Sequence, residues 1–396
     1  MKLNFNFNED FNRKETNSIK WDSIEKVFGC TDVLPLWIAD MDLACAPAIV
    51  KAINNRAQHP IYGYGYIPEE FYLSAINWAS KRYNTLIRRN WLTTVPGVVP
   101  ALNLAINAFS KPGDEIIIQP PVYFPFFSTI KNNGRVIIEN PLLEKDGFYY
   151  MDLHDLKNKI TSKTKMLILC SPANPVGRVW SREELEALFE ICNKNKIIVV
   201  SDEIHSDLVY EKGKHIPFYS LNNDAANMSI TFMSPSKTFN IAGLFSSLAI
   251  IPNEDLFTEF THAILRSSLE NLNLFGIEAV IAAYNEGEEW LDELLVYLKE
   301  NAEFIHHYLE TKIPDVKMRI TEATYLGWLD FRGLGLSGDQ LTEFLIKEAK
   351  LGLNEGRGFG VQGDGFMRLN FATTRKTLEE AMMRLEKAVK SFKLSE

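Results

Sequence analysis

The sequence predicts an α/β fold in which a large domain, built on a mostly parallel sheet flanked by helices, is joined to a smaller α+β domain. Two patterns predict it. Short, unbroken apolar runs alternate with helical stretches from about Pro47 to Tyr284, and unbroken rather than alternating runs mark strands covered on both faces. Beyond Tyr284 the pattern changes to one long amphipathic stretch followed by isolated strands. With 396 residues, 46% of them hydrophobic, the chain exceeds what one mid-sized domain needs. The expected division is 47–284 for the large domain, with 1–46 and 285–396 forming the small one.

In chain order, Gly97-Val98-Val99 precedes a helical pattern from Ala101 to Ile106. The runs Glu115 to Ile118, Lys165 to Leu169, Lys196 to Val200 and Ser229 to Met233 read as strands. Between the second and third, Ser181 followed by Glu184 forms a capping-box signature for a helix start, which completes a βαβ pattern. From Glu288 to Thr311, Leu291, Leu294, Leu295, Leu298, Ala302, Ile305 and Leu309 recur at helical spacing. Strands are then expected around Tyr325 to Leu329 and Met367 to Phe371, and a closing helix from Arg375. No repeat, low-complexity tract or long linker interrupts the chain, so the two domains are expected to interleave.

Composition narrows the function. The formal net charge is −9 and no Lys/Arg run or basic-aromatic stripe occurs, so neither nucleic acid nor an anionic membrane is an expected partner. Small substrates are. The cysteines Cys30, Cys45, Cys170 and Cys192 form no close pair, so no zinc knuckle, disulfide framework or other metal site is expected. The amino terminus lacks the apolar core of a secretory signal and no apolar stretch is long enough for a bilayer. The expectation is a soluble, cytoplasmic protein.

In open α/β sheets, ligands bind beyond the carboxyl ends of the strands. The four runs lead into Pro120-Pro121-Val122-Tyr123, Ser171-Pro172-Ala173-Asn174-Pro175, Ser201-Asp202-Glu203-Ile204-His205 and Ser234-Pro235-Ser236-Lys237. Together they offer what a phosphorylated aldehyde cofactor such as pyridoxal 5′-phosphate (PLP) requires: an amine, a carboxylate for the ring nitrogen, phosphate donors and an aromatic face.

Lys237 is the candidate Schiff-base amine and base; alone it would read as a solvated surface lysine, but the strand and Ser-Pro-Ser before it argue otherwise. Ser234 is a candidate phosphate donor. Asp202, ending an apolar strand, calls for a cationic partner such as a protonated pyridine nitrogen, with a helix cap or a structural ion pair as the alternative. His205 is read as a donor to the ring oxygen, as an orienter of Asp202 or as a structural histidine.

Asn174, between two prolines, is a candidate donor to the ring oxygen, although Asn-Pro also occurs in ordinary turns. Tyr123 is placed to stack on the ring or to fill the core. The helix start at Val98 and Val99 offers free N–H groups to a phosphate. Arg368, set among apolar residues, needs a carboxylate, either a substrate's or a structural one. Neither G-x-G-x-x-G nor a Walker pattern is present, which counts against dinucleotides and nucleoside triphosphates. Tyr62-Gly63-Tyr64-Gly65-Tyr66 reads as a loop packed against another element or another subunit.

The motifs together resemble the fold-type I PLP enzymes of the class I/II aminotransferase superfamily. More narrowly they resemble the cystathionine beta-lyase group related to the maltose-regulon modulator. The similarity runs from Trp37-Ile38-Ala39-Asp40-Met41-Asp42 through Gly63-Tyr64, Ser171 to Trp180, Ser201 to Asp207, Ser236 to Leu244 and Thr324 to Asp330, to Arg368 to Ala372. It implies a seven-stranded sheet, a cofactor carried by Lys237, a pyridinium paired with Asp202, a ring oxygen contacted by Asn174, a stacked Tyr123 and a substrate carboxylate on Arg368, with Ala39 on the substrate side. It also implies a homodimer whose Tyr64 reaches the neighbouring phosphate.

Three positions depart from common patterns: Phe245 replaces an Arg eight residues after the lysine, His205 replaces a Tyr three residues after the aspartate, and Asn354-Glu355-Gly356 carries Glu where Pro is expected. The first two favour a carbon-sulfur beta-lyase of L-cystathionine or related cysteine S-conjugates over a general aminotransferase. An aminotransferase is the nearest alternative. A regulatory protein that binds a transcription activator is the alternative from another class.

Overall fold

The structure, a computed structural model, describes residues 4–395. Its centre is a seven-stranded sheet whose strands are β1 (Leu92–Val95), β2 (Glu115–Ile118), β3 (Val136–Glu139), β4 (Thr164–Cys170), β5 (Ile198–Asp202), β6 (Ser229–Met233) and β7 (Ser247–Ile250). Their spatial order is β1-β7-β6-β5-β4-β2-β3. Only β7 runs against its neighbours β1 and β6; the pairs from β6 to β3 are all parallel. The expected strands at β2 and β6 have the bounds read from the sequence. β5 starts two residues later than its apolar run, because Lys196 turns with φ +56°, and it extends through Asp202.

The unbroken apolar runs do face two cores. Ile116, Ile118, Met166, Ile168 and Val200 enter one cluster, while Ile117, Leu167, Leu169 and Val199 enter another on the opposite face, as the two-residue period of a strand requires. Helix α1 (Val98–Phe109) covers the first face and α2 (Arg182–Lys194) the second. The capping box at α2 is present: Glu184 N–H donates to Ser181 Oγ at 3.2 Å and Ser181 N–H to Glu184 Oε2 at 2.9 Å.

Helix α3 (Leu274–Glu286) leads through Gly287 into α4 (Glu288–Lys312), whose buried stripe includes Leu291, Leu294, Leu298, Ala302, Ile305 and Leu309. A second, antiparallel sheet follows, with strands β8 (Lys317–Met318), β9 (Leu326–Asp330), β10 (Asn354–Glu355) and β11 (Phe366–Asn370) in the order β8-β9-β11-β10. The closing helix α5 is Arg375–Ser395. None of the described helices is long and apolar enough to cross a membrane.

A strap from Trp37 to Leu43 joins the two sheets through its own backbone. Arg368 donates to the Trp37 carbonyl at 3.0 Å, Asn370 to those of Ile38 and Asp40, and Asn240 to those of Met41 and Leu43. Arg13 grips Asp40 and Asp42 from outside, and buried Lys20 pairs with Asp42 at 2.7 Å. Five of its seven peptide carbonyls are thereby held, three by the small sheet and two by Asn240, which follows β6 of the large one. The loop around Tyr64 packs its backbone on α3, where a Cβ at Gly65 would meet Leu274 at 2.9 Å. Tyr62, Tyr64 and Tyr66 point outward.

Candidate active site

The ends of β4, β5 and β6, the start of α1 and the strap enclose one cavity of about 170 Å³. Eight of the predicted residues, Ala39, Val98, Val99, Tyr123, Asn174, Asp202, His205 and Lys237, line it. Four separate strand ends therefore do converge. A larger groove of about 730 Å³ runs beside α4, lined by charged residues such as Glu144, Arg319 and Arg332 and by none of the predicted site residues.

Lys237 follows β6 on a short helix, Pro235–Thr238, that Ser234 caps by accepting from Ser236 N–H at 3.2 Å. Its amine donates to the Ala39 carbonyl at 2.7 Å. Burial pushes this amine down to about 8, so far more of it is neutral near physiological pH than of an ordinary lysine, and that share is available as a nucleophile and base.

Asp202 is the last residue of β5 and is buried. Its carboxylate accepts from Ile204 N–H at 3.1 Å, and among the described residues no cationic group lies within ion-pair distance of it. Burial pushes it up to about 7. A buried carboxylate that lacks a counter-charge is costly, so the site is built for a cation that the protein itself does not supply. Neither a structural ion pair nor a helix cap accounts for Asp202.

His205 is pushed down to about 3 by burial, so it is neutral, and its Nδ1 is buried without a partner. Among the described residues it has no hydrogen bond to Asp202. Its ring packs edge-on to Tyr325 at 6.2 Å. A polar atom orphaned on a cavity wall awaits a ligand.

At the far end of the cavity, Gly97 adopts φ +111°, open to glycine, and starts α1. The first bond of this helix is from Ala101 N–H to the Gly97 carbonyl; the N–H groups of Val98 and Val99 are left over, as at any helix start. They suit an anion. Ser236 and Ser246 line the same region, whereas Ser234, predicted as a phosphate donor, donates instead to the Ser246 carbonyl at 3.1 Å and does not line the cavity. The amine, the unpaired carboxylate, the anion-binding helix start and the Tyr123 face fit a phosphorylated pyridine aldehyde group by group.

Arg368 stands behind Asn174 on β11. It donates to Asn174 Oδ1 at 3.0 Å, to the Trp37 carbonyl at 3.0 Å and to Asn354 Oδ1 at 2.7 Å. Its Nε is buried and unpartnered, the Phe359 ring lies 4.9 Å away, and burial pushes the guanidinium down to about 10. Among the described residues no carboxylate pairs with it, so the structural salt bridge that the sequence allowed is not formed. Tyr64 lies outside the cavity and is fully exposed, at 104%.

Sequence reasoning missed Ser236, Ser246, Cys170, Tyr325 and Asn354. Ser236 sits inside a motif already singled out, and Cys170 ends a recognised strand. Tyr325 donates to the Ala39 carbonyl at 2.9 Å, but no local pattern announces it.

The family model for aminotransferases of class I and II matches residues 31–385. The cystathionine beta-lyase PatB of Bacillus subtilis is 44% identical, over 97% of this chain and 100% of the relative. A PLP-bound crystal structure from Clostridium difficile 630, provisionally named an aminotransferase, is 44% identical with a TM-score of 0.96, covering 98% of this chain and 100% of that one. The PLP-bound C-S lyase of Staphylococcus hominis is 31% identical with a TM-score of 0.91, over 98% of each chain. With a family match over most of its length and whole-length relatives above 30% identity, the chain belongs to the class I and II aminotransferase family.

Proposed function

We propose that the protein is a PLP-dependent carbon-sulfur beta-lyase that converts L-cystathionine, or a related cysteine S-conjugate, and water to a thiol, pyruvate and ammonia. The observation that carries the reaction class is the whole-length similarity to a cystathionine beta-lyase. His205 and Phe245, the two departures from the common aminotransferase pattern, both line the cavity and agree with it.

When bound, PLP supplies an electron sink for the charge left by a lost α proton. Lys237 is the group that would carry the cofactor and then take that proton as the thiolate leaves the β carbon, its amine oriented by the Ala39 carbonyl. Asp202 holds a proton on the ring nitrogen, and this pairing relieves the cost of its own burial. His205 and Asn174 would contact the ring oxygen, Tyr123 would stack on the ring, and the Val98 and Val99 N–H groups with Ser236 would hold the phosphate. Ile204, Ala242 and Phe245 add apolar surface to the cavity wall. Arg368 binds the substrate carboxylate.

We assign the cofactor to the domain 47–284 and the carboxylate-binding Arg368 to the domain formed by 1–46 and 285–396. A cytoplasmic setting is in keeping with four unpaired thiols, and a homodimer with the exposed tyrosine loop. An aminotransferase is the second reading, favoured by the C. difficile neighbour. Incubation with L-cystathionine and assay of thiol, pyruvate and ammonia tests the proposal; amino transfer to a 2-oxo acid without thiol release overturns it.

A further inference from the structure

Asn354 stands in the segment whose Asn-Glu-Gly departs from the expected pattern, and the fold gives it a partner that the sequence does not. On the small sheet Asn354 pairs directly with Arg368 across the β10-β11 ladder, while Trp328 flanks Arg368 on the other side. Side chains opposite each other on paired strands lie close enough to touch. The amide oxygen of Asn354 accepts from Arg368 at 2.7 Å, the shortest of the three bonds that hold the guanidinium.

All three acceptors are neutral: two amide oxygens and one peptide carbonyl. A buried arginine is ordinarily fixed by a carboxylate, which orients it and cancels its charge together. Here orientation and neutralisation are separated. The buried guanidinium is held rigid, keeps its full charge, and retains an Nε–H without an acceptor. We infer that Asn354 is a specificity-determining positioning residue: it fixes Arg368 without neutralising it, and so reserves the charge for a carboxylate-bearing substrate. This rests on the reading of Arg368 as the carboxylate site.

The isosteric change Asn354→Asp separates this role from a structural one. Aspartate keeps the shape and the hydrogen bond but supplies the missing negative charge, whereas Asn354→Ala loses the bond and leaves the charge free. For the holoenzyme with L-cystathionine, Asn354→Asp should raise KM about tenfold or more with kcat within about threefold of the parent, and Asn354→Ala should raise KM less. Calorimetric titration with propionate, a carboxylate with no amine, should show the same order of weakened binding: Asp more than Ala. A structural role predicts the reverse, since Ala removes the contact that Asp retains. Alanine harming KM and propionate binding more than aspartate, or an aspartate variant equal to the parent, overturns the inference. If the parent eliminates no thiol, the lyase reading fails while the propionate series still decides the role of Asn354.

Discussion

The amine of Lys237 and the hydroxyl of Tyr325 donate to one acceptor, the carbonyl oxygen of Ala39, at 2.7 and 2.9 Å. The strap that carries this oxygen is 198 residues from the lysine in sequence and is pinned on both sides of Ala39 by Asn370. A fixed acceptor aims the amine while burial keeps its affinity for protons low. The site thus meets both requirements for an amine that must react and then move a proton.

Lys237→Ala should therefore abolish covalent attachment of PLP and nearly all turnover. The fold should survive, because Tyr325 still satisfies the Ala39 carbonyl. Borohydride reduction of the parent holoenzyme followed by peptide mapping checks the assignment. A label on any other lysine would refute it.

Asp202→Asn should act in opposite directions with and without the cofactor. In the cofactor-free protein the carboxylate is held up at about 7 by burial, against about 3.9 in an unfolded chain, so the native state binds more protons between those values. Wild-type stability is thus lost as pH rises through about 7 and regained as it falls toward about 4. The amide variant carries no such penalty. It should unfold at the higher temperature at pH 8, by up to roughly 4 kcal/mol, with the gap closing near pH 4. In the holoenzyme the same change removes the proposed partner of the ring nitrogen, and turnover should fall on the order of 10² or more. Thermal scans at both pH values and steady-state rates separate the two effects.

These opposed effects also show what the sequence could and could not reveal. Asp202 and Arg368 were legible because a charge set in an apolar run violates ordinary burial, and Lys237 because a strand and Ser-Pro-Ser precede it. β2 and β6 were legible as dense apolar runs. β1, β3 and β7 were not: Leu92–Val95 and Ser247–Ile250 dilute the apolar signal with Thr, Ser and Ala, and Val136–Glu139 is a partly exposed edge strand of four residues. The Ser-Pro-Ser motif places Ser236 rather than Ser234 on the cavity wall, and the choice between the two serines depends on the cap that ties Ser234 inward. Asn354 and Tyr325 act on residues far away in sequence, through strand pairing and the strap, which only the folded chain brings together.

Tyr64 is fully exposed in the single chain while its loop backbone is fixed on α3, an arrangement that suits delivery of the ring to a second subunit. Mixing Lys237→Ala subunits with Tyr64→Phe subunits should form hybrid dimers in which one site carries neither defect. Activity should rise above that of either parent, given subunit exchange verified by mass spectrometry and a measurably impaired Tyr64→Phe parent. No rise under verified exchange would place Tyr64 within its own site or outside the chemistry.

The reaction type is decided by a substrate pair that differs only in having a leaving group. Both L-cystathionine and L-alanine present the α-carboxylate that we propose Arg368 receives and the α proton that we propose Lys237 takes. Only cystathionine carries on its β carbon a thioether sulfur that can leave as a thiolate. Cystathionine should therefore yield homocysteine, pyruvate and ammonia in equal amounts, whereas alanine should bind and perturb the cofactor absorbance without releasing ammonia. Efficient turnover of alanine dependent on a 2-oxo acid would establish the aminotransferase, because the proton would then return to the cofactor instead of a thiolate departing. Inertness toward both with PLP retained would favour a regulatory protein, in which the unpaired Asp202 and Arg368 bind their ligands without turnover.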